Sequence, residues 1–188
     1  MKPLYIFDLD GTLALIDHRR HLVERPSLKC YDCHGANRHN CVQCADLDAG
    51  WKADWRAFFA ACVDDQPNAP VIRTLRALES GGAEIWIWSG RSDEVRAQTQ
   101  EWLAKHVHGG GVLGRLIGSA YPYMAPERFR MRKAGDYRSD VNLKREWLSE
   151  IEPPEYARLT AVFDDRDSVV QMWRDAGVPC FQVAPGEF

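Results

Sequence analysis

The sequence predicts an α/β fold: a parallel β-sheet with helices on both faces, interrupted once by an insertion. Three observations predict it. Short, almost wholly apolar runs recur along the 188-residue chain, as strands buried on both faces do. Helical stretches with an apolar face separate these runs, the alternation that builds a parallel sheet. Two of the runs end in acidic pairs or near-pairs and one in Ser-Gly-Arg, and open α/β sheets bind ligands at the carboxyl ends of their strands.

The elements follow in order. Leu4 to Phe7 is the first strand and ends at Asp8. Residues 20–66 then read as a cap-type insertion into a single domain spanning 1–188; they hold a cysteine cluster and a short amphipathic stretch, Asp54 to Val63. Pro70 to Ser80 is helical, with Val71, Leu75 and Leu78 on one face and Gly81-Gly82 as its stop. Ile85 to Trp88 is the second strand, followed by Ser89-Gly90-Arg91. Ser92 caps a helix running to about Val107, with Val95, Trp102 and Leu103 apolar. Leu113 to Ser119 is a weaker strand. Val141 to Ile151 carries Leu143, Trp147, Leu148 and Ile151, and Pro153-Pro154 stops it. Leu159 to Phe163 is a strong strand ending in Asp164-Asp165. Asp167 to Asp175 is a helix with Val170 and Trp173 inside, and Cys180 to Val183 is the last strand.

Composition narrows the function. The 24 Lys and Arg against 27 Asp and Glu give a net charge of −3. That excludes a uniformly basic nucleic-acid coat and leaves room for a local basic patch. Hydrophobic residues at 45% and charged residues at 27% are globular values. No run of 18 apolar residues predicts a membrane span, and the first residues are too short and acidic a stretch for a signal peptide. A cytoplasmic, reducing location is expected, with no membrane and no obligate protein partner.

Four clusters carry chemistry. In Asp8-Leu9-Asp10-Gly11-Thr12 the two carboxylates lie two residues apart after a strand and face one side, while Gly11 permits a sharp turn. Ser89-Gly90-Arg91 offers a hydroxyl and a guanidinium that suit phosphate oxygens. Lys144 lies on the helix before the third strong strand. Asp164-Asp165 adds two acids that would repel Asp8 and Asp10 unless a cation sat among them, and oxygen-only ligands suit Mg²⁺. Each cluster alone has an ordinary reading: solvated turn acids, a helix-capping serine, a surface lysine.

Taken in order, DLDGT, SGR, Lys144 and FDD resemble the haloacid dehalogenase-like (HAD) phosphohydrolase superfamily across residues 4–165. Met131 to Asp140, Lys144 and the tract from Phe163 to Phe188 further resemble the 3′-phosphatase domain of T-even phage polynucleotide kinases. Arg19 sits where that family has an arginine. No GxxxxGK[ST] loop is present, so no kinase half is expected. The resemblance implies a Rossmann-like sheet and a Mg²⁺-dependent aspartyl-phosphate mechanism. Asp8 would attack phosphorus. Asp10 would act as general acid and then base. Ser89 and Lys144 would neutralise phosphoryl oxygens. Asp8, Asp10 through its carbonyl, Asp165 and Asp164 would hold Mg²⁺. Thr12, Arg19, Gly90, Arg91 and Arg132 are expected around the substrate.

Substrate class rests on a second feature. Residues 127–138 contain Arg128, Arg130, Arg132, Lys133 and Arg138 against Glu127 and Asp136, a surplus that could track a nucleic-acid backbone or simply be a solvated face. The expected activity is removal of 3′-phosphate from nucleic-acid ends. The same chemistry on small nucleotides is the alternative, and a zinc-ribbon binding module on an inactive scaffold is the alternative of another class. Cys30-x₂-Cys33-x₇-Cys41-x₂-Cys44 has the spacing of a closed, structural Zn²⁺ site, with His34 and His39 flanking it. Cys62 and Cys180 read as buried core residues.

Overall fold

A computed structural model of the chain describes residues 1–24, 51–108 and 128–186. Cys30, Cys33, Cys41 and Cys44, with His34, His39 and the strand expected at Leu113 to Ser119, lie outside the described residues. In chain order the elements are β1 (Leu4–Phe7), β2 (Ala14–Leu15), α1 (Asp17–Arg20), α2 (Trp55–Ala60), β3 (Gln66–Pro67), α3 (Ala69–Ser80), β4 (Glu84–Ser92), α4 (Arg96–His106), β5 (Phe129–Arg132), α5 (Asp140–Ser149), α6 (Pro153–Tyr156), β6 (Leu159–Asp164), α7 (Asp167–Asp175) and β7 (Cys180–Gln182). They fall into two compact units, Met1–Ile16 with Val63–Phe188, and Asp17–Cys62.

In the first unit the main sheet has the order β5-β4-β1-β6-β7 among the described residues, and every pairing is parallel. β1 is therefore central, flanked by β4 and β6. This explains its lack of alternation: Leu4, Ile6 and Phe7 are all buried, as a strand covered on both faces requires. β2 and β3 form a separate antiparallel pair.

One core cluster joins the sheet to α5 and α7. Leu4, Ile6, Trp86, Trp88 and Val162 from the strands pack with Leu143 and Trp147 of α5 and with Val169, Met172 and Trp173 of α7. Trp88 meets Trp147 edge-on at 5.7 Å and Trp173 in a tilted contact at 5.8 Å. Such aromatic pairs add about 0.5–1.5 kcal/mol each beyond the area they bury. This packing turns one face of α5 inward, and Lys144 on that helix is buried with it.

β5 corrects the reading of the basic stretch. Phe129-Arg130-Met131-Arg132 alternates buried and half-buried positions beside β4, the period-2 pattern of a strand. Its arginines are matched locally. Arg128 pairs with Glu84 at 3.2 Å, Arg130 with Glu150, Arg132 with Asp140, and Arg138 with Asp136 and Glu146. The surplus counted along the sequence is thus largely neutralised in space. Cys62 is buried as expected, whereas Cys180 is half-buried.

In the second unit, Asp54 caps α2 by accepting from the Ala57 N–H at 2.8 Å. Trp55, Phe58 and Phe59 form edge-on and tilted ring contacts.

Candidate active site

The turn after β1 builds the first half of the site. The Asp8 N–H donates to the Phe163 carbonyl at 2.9 Å, anchoring Asp8 to β6. The Leu9 carbonyl then accepts from Leu13 and Ala14, and the Gly11 N–H donates to Ala14. Gly11 has φ +86°, and a Cβ there would lie 2.0 Å from Asp165 Oδ2. Both the left-handed backbone and the close carboxylate demand glycine. Thr12 Oγ1 donates to Asp165 Oδ1 at 3.1 Å, so the turn and the end of β6 grip each other directly.

Lys144 is the centre of the charge arrangement. Its Nζ donates to Asp8 Oδ1 at 2.6 Å and to Asp164 Oδ2 at 2.7 Å. Asp8, Asp164, Asp165 and Lys144 are all buried. Burial pushes the Asp8 carboxyl well above the usual carboxylate range, Asp164 and Asp165 add to the rise, and Lys144 opposes it. Asp165 is pushed up to about 6, by burial first and Asp164 second. Burial opposes the charge on Lys144, yet Asp164 and Asp8 hold its ammonium above the ordinary lysine range. Burial and neighbouring carboxylates thus hold Asp8 and Asp165 toward their neutral forms.

A further positive charge fits this deficit. Carboxylate oxygens of Asp8, Asp164 and Asp165 all lie within 4.8 Å of one another. Hard oxygen donors in a buried, electron-rich cluster are the donor set of Mg²⁺. The Asp10 carboxylate stands apart from that set: it receives Arg91 Nε at 3.3 Å and Arg91 Nη2.

Ser89 and Gly90 sit at the carboxyl end of β4. Ser89 is fully buried, and its Oγ accepts the Arg91 N–H at 3.1 Å. A Cβ on Gly90 would lie 2.5 Å from Asp140 Oδ1, so glycine here admits the carboxylate that gathers the neighbouring arginines.

A family model, that of the polynucleotide kinase PNKP phosphatase domain, matches residues 52–188. The chain belongs to that family. It is a HAD-like phosphatase, a phosphoric monoester hydrolase. Among solved structures it is similar to a chain of the Pnkp1/Rnl/Hen1 RNA repair complex, at 28% identity and a TM-score of 0.62, covering 100% of this chain and 44% of that one. A chain of a second Pnkp1/Rnl/Hen1 structure matches at the same identity and TM-score, with 48% of its length covered. This chain thus spans less than half the length of those relatives. A Clostridium difficile structure, 11% identical with a TM-score of 0.52 over 96% of this chain and 84% of that one, shares the fold.

Several residues expected around the substrate have partners within the protein. Arg91 is fully buried and held by Asp10, Asp65 and Thr99, so its guanidinium is occupied within the protein. Arg132 donates to the Gly90 carbonyl at 2.8 Å, to the Asp136 and Arg138 carbonyls, and to Asp140. It organises the Ser89–Arg91 segment instead of facing out. Arg19 belongs to the second unit, where its guanidinium lies 4.1 Å over the Phe58 ring and donates to the Phe58 carbonyl. Two acids escaped the sequence reading. Asp140 bridges Arg132 and Arg166; its position one helical turn before Lys144 was a usable signal. Asp65 carried no signal, since it reads as the second of two loop acids. Among the described residues no helix is long and apolar enough to cross a membrane.

Proposed function

We propose that the chain is a Mg²⁺-dependent polynucleotide 3′-phosphatase acting through an aspartyl-phosphate. The observation that carries this is the single lysine shared by Asp8 and Asp164 beside Asp165, at the ends of two adjacent strands. Asp8 Oδ forms a bond to phosphorus as the bond to the 3′ oxygen breaks, and Asp10 gives its proton to that oxygen. Water then attacks phosphorus, the bond to Asp8 breaks, and Asp10 takes the water's proton. Lys144 Nζ and the Ser89 hydroxyl offset charge on the phosphoryl oxygens. Asp8, Asp164 and Asp165 would hold Mg²⁺, with the Asp10 carbonyl beside them; when bound, it supplies charge that keeps these carboxylates ionised. Thr12 keeps Asp165 turned toward this set.

The family match supports a nucleic-acid 3′ end as substrate, and the similar chains of an RNA repair complex favour RNA over DNA. Those chains come from multi-protein assemblies, so the expectation of no protein partner is not carried further. Cys30, Cys33, Cys41 and Cys44 would close a structural zinc site on spacing alone; metal analysis finding one zinc per chain supports it. The functional test is phosphate release, with Mg²⁺ and with EDTA, from 3′-phosphorylated RNA, 3′-phosphorylated DNA, 5′-phosphorylated RNA and mononucleotides. Preference for 3′ ends with Mg²⁺ is expected. Equal rates on mononucleotides would favour the small-substrate reading, which the paired arginines of residues 128–138 also fit.

A further inference from the structure

Asp65 lies between the helical turn Ala61–Asp64 and β3, and it is only 2% exposed. Its Oδ2 accepts from Arg91 Nη2 at 2.7 Å. The same nitrogen, with Nε, faces the two oxygens of Asp10. Arg91 Nη1 reaches Thr99 Oγ1 at 3.3 Å, and that hydroxyl donates onward to the Val95 carbonyl at 2.9 Å. Asp65 is itself pinned, because Trp102 Nε1 donates to its carbonyl at 2.7 Å. The guanidinium plane is thus set from two sides, by Asp65 and by Thr99 of α4, and one edge of it supports Asp10. A planar guanidinium with fixed donors transmits orientation in a way that a lysine would not.

We propose that Asp65 is a positioning residue for proton transfer: by holding Arg91 Nη2 it fixes the edge on which the Asp10 carboxylate rests. The inference rests on the reading of Asp10 as general acid. A general acid contributes about 10²–10⁴ in rate, and a displacement of about 1 Å forfeits about 10². That loss should depend on the leaving group. An alcohol needs a proton as the P–O bond breaks, whereas 4-nitrophenolate leaves unprotonated.

The test compares kcat/KM, which reads the step that expels the leaving group and not the later hydrolysis common to both substrates, on a 3′-phosphorylated trinucleotide and on 4-nitrophenyl phosphate, for wild type, Asp65→Asn, Thr99→Val and Asp10→Asn. Each variant's ratio of the two rates is independent of how much protein is correctly folded. Asp65→Asn is expected to lower kcat/KM on the trinucleotide by about 10²-fold and kcat/KM on the aryl ester by less than about threefold. Thr99→Val should shift the ratio in the same direction, and it carries the test if Asp65→Asn does not fold. An equal loss on both substrates, or no loss, while Asp10→Asn shifts the ratio, overturns the positioning role. An unshifted ratio in Asp10→Asn overturns the general-acid reading beneath it.

Discussion

Replacing Lys144 with Met removes the one ammonium shared by Asp8 and Asp164 and leaves the apolar stem in place. The wild-type Nζ makes two charge-assisted hydrogen bonds, at 2.6 and 2.7 Å, inside a wholly buried cluster. Breaking a buried ion pair by removing one partner costs about 3–5 kcal/mol. The pH dependence has a definite sign. Lys144 has a raised pKa, so its contribution is fully present below the ordinary lysine range and is constant between pH 5 and 8. Asp8 and Asp165 have raised pKa values, and without Lys144 they rise further. Their ionisation then destabilises the variant increasingly as pH climbs above the usual carboxylate range. Urea unfolding in EDTA should show Lys144→Met less stable by about 3–5 kcal/mol at pH 8. With a slope of about 2 kcal/mol/M, that is a midpoint shift of about 1.5–2.5 M. The gap should narrow at pH 5. A gap below about 1 kcal/mol at pH 8, or the same gap at both pH values, refutes the shared-cation argument.

Three further outcomes follow from the same cluster. Asp8→Asn should abolish phosphate release while leaving the circular dichroism spectrum intact; residual turnover would exclude Asp8 as the nucleophile. Gly11→Ala should lose Mg²⁺-dependent activity and more than about 1 kcal/mol of stability, because its Cβ meets Asp165 Oδ2 at 2.0 Å and φ is +86°; a wild-type melting temperature would count against this packing. In EDTA, wild type should lose stability relative to Asp165→Asn as pH rises from about 4 to 7. The rise of Asp165 from 3.8 to about 6 corresponds to about 3 kcal/mol, and Mg²⁺ should reverse the loss. A flat difference would contradict the rise that burial imposes on Asp165.

The parts of the fold legible in the sequence share one property: their signal is local. The apolar run Leu4 to Phe7 matches β1 and Asp167 to Asp175 matches α7, because short apolar bursts and clean stops bound each one. Asp8, Ser89, Asp164 and Asp165 are legible as candidates because each stands at or just after a strand end, whereas Lys144 stands out only through the resemblance to the HAD superfamily. β5 was missed because its arginines read as a charge cluster, and only pairing with β4 shows Phe129 and Met131 turned inward. Arg91 looked available because a guanidinium has no partner in a linear sequence. Asp65, 26 residues away, becomes its partner only in the fold.

The contact between Thr12 and Asp165 spans 153 residues, and Gly11 leaves no room for even a methyl group beside that carboxylate. The two halves of the acid cluster are made far apart in synthesis. Asp8 and Asp10 are synthesised long before Asp164 and Asp165, which arrive only after β1, β4 and β5 have been made. Contacts so distant along the chain form late and slowly. Assembly of the acid cluster is therefore coupled to completion of the sheet, and a chain truncated before β6 carries Asp8 without the Asp164 and Asp165 that lie beside it.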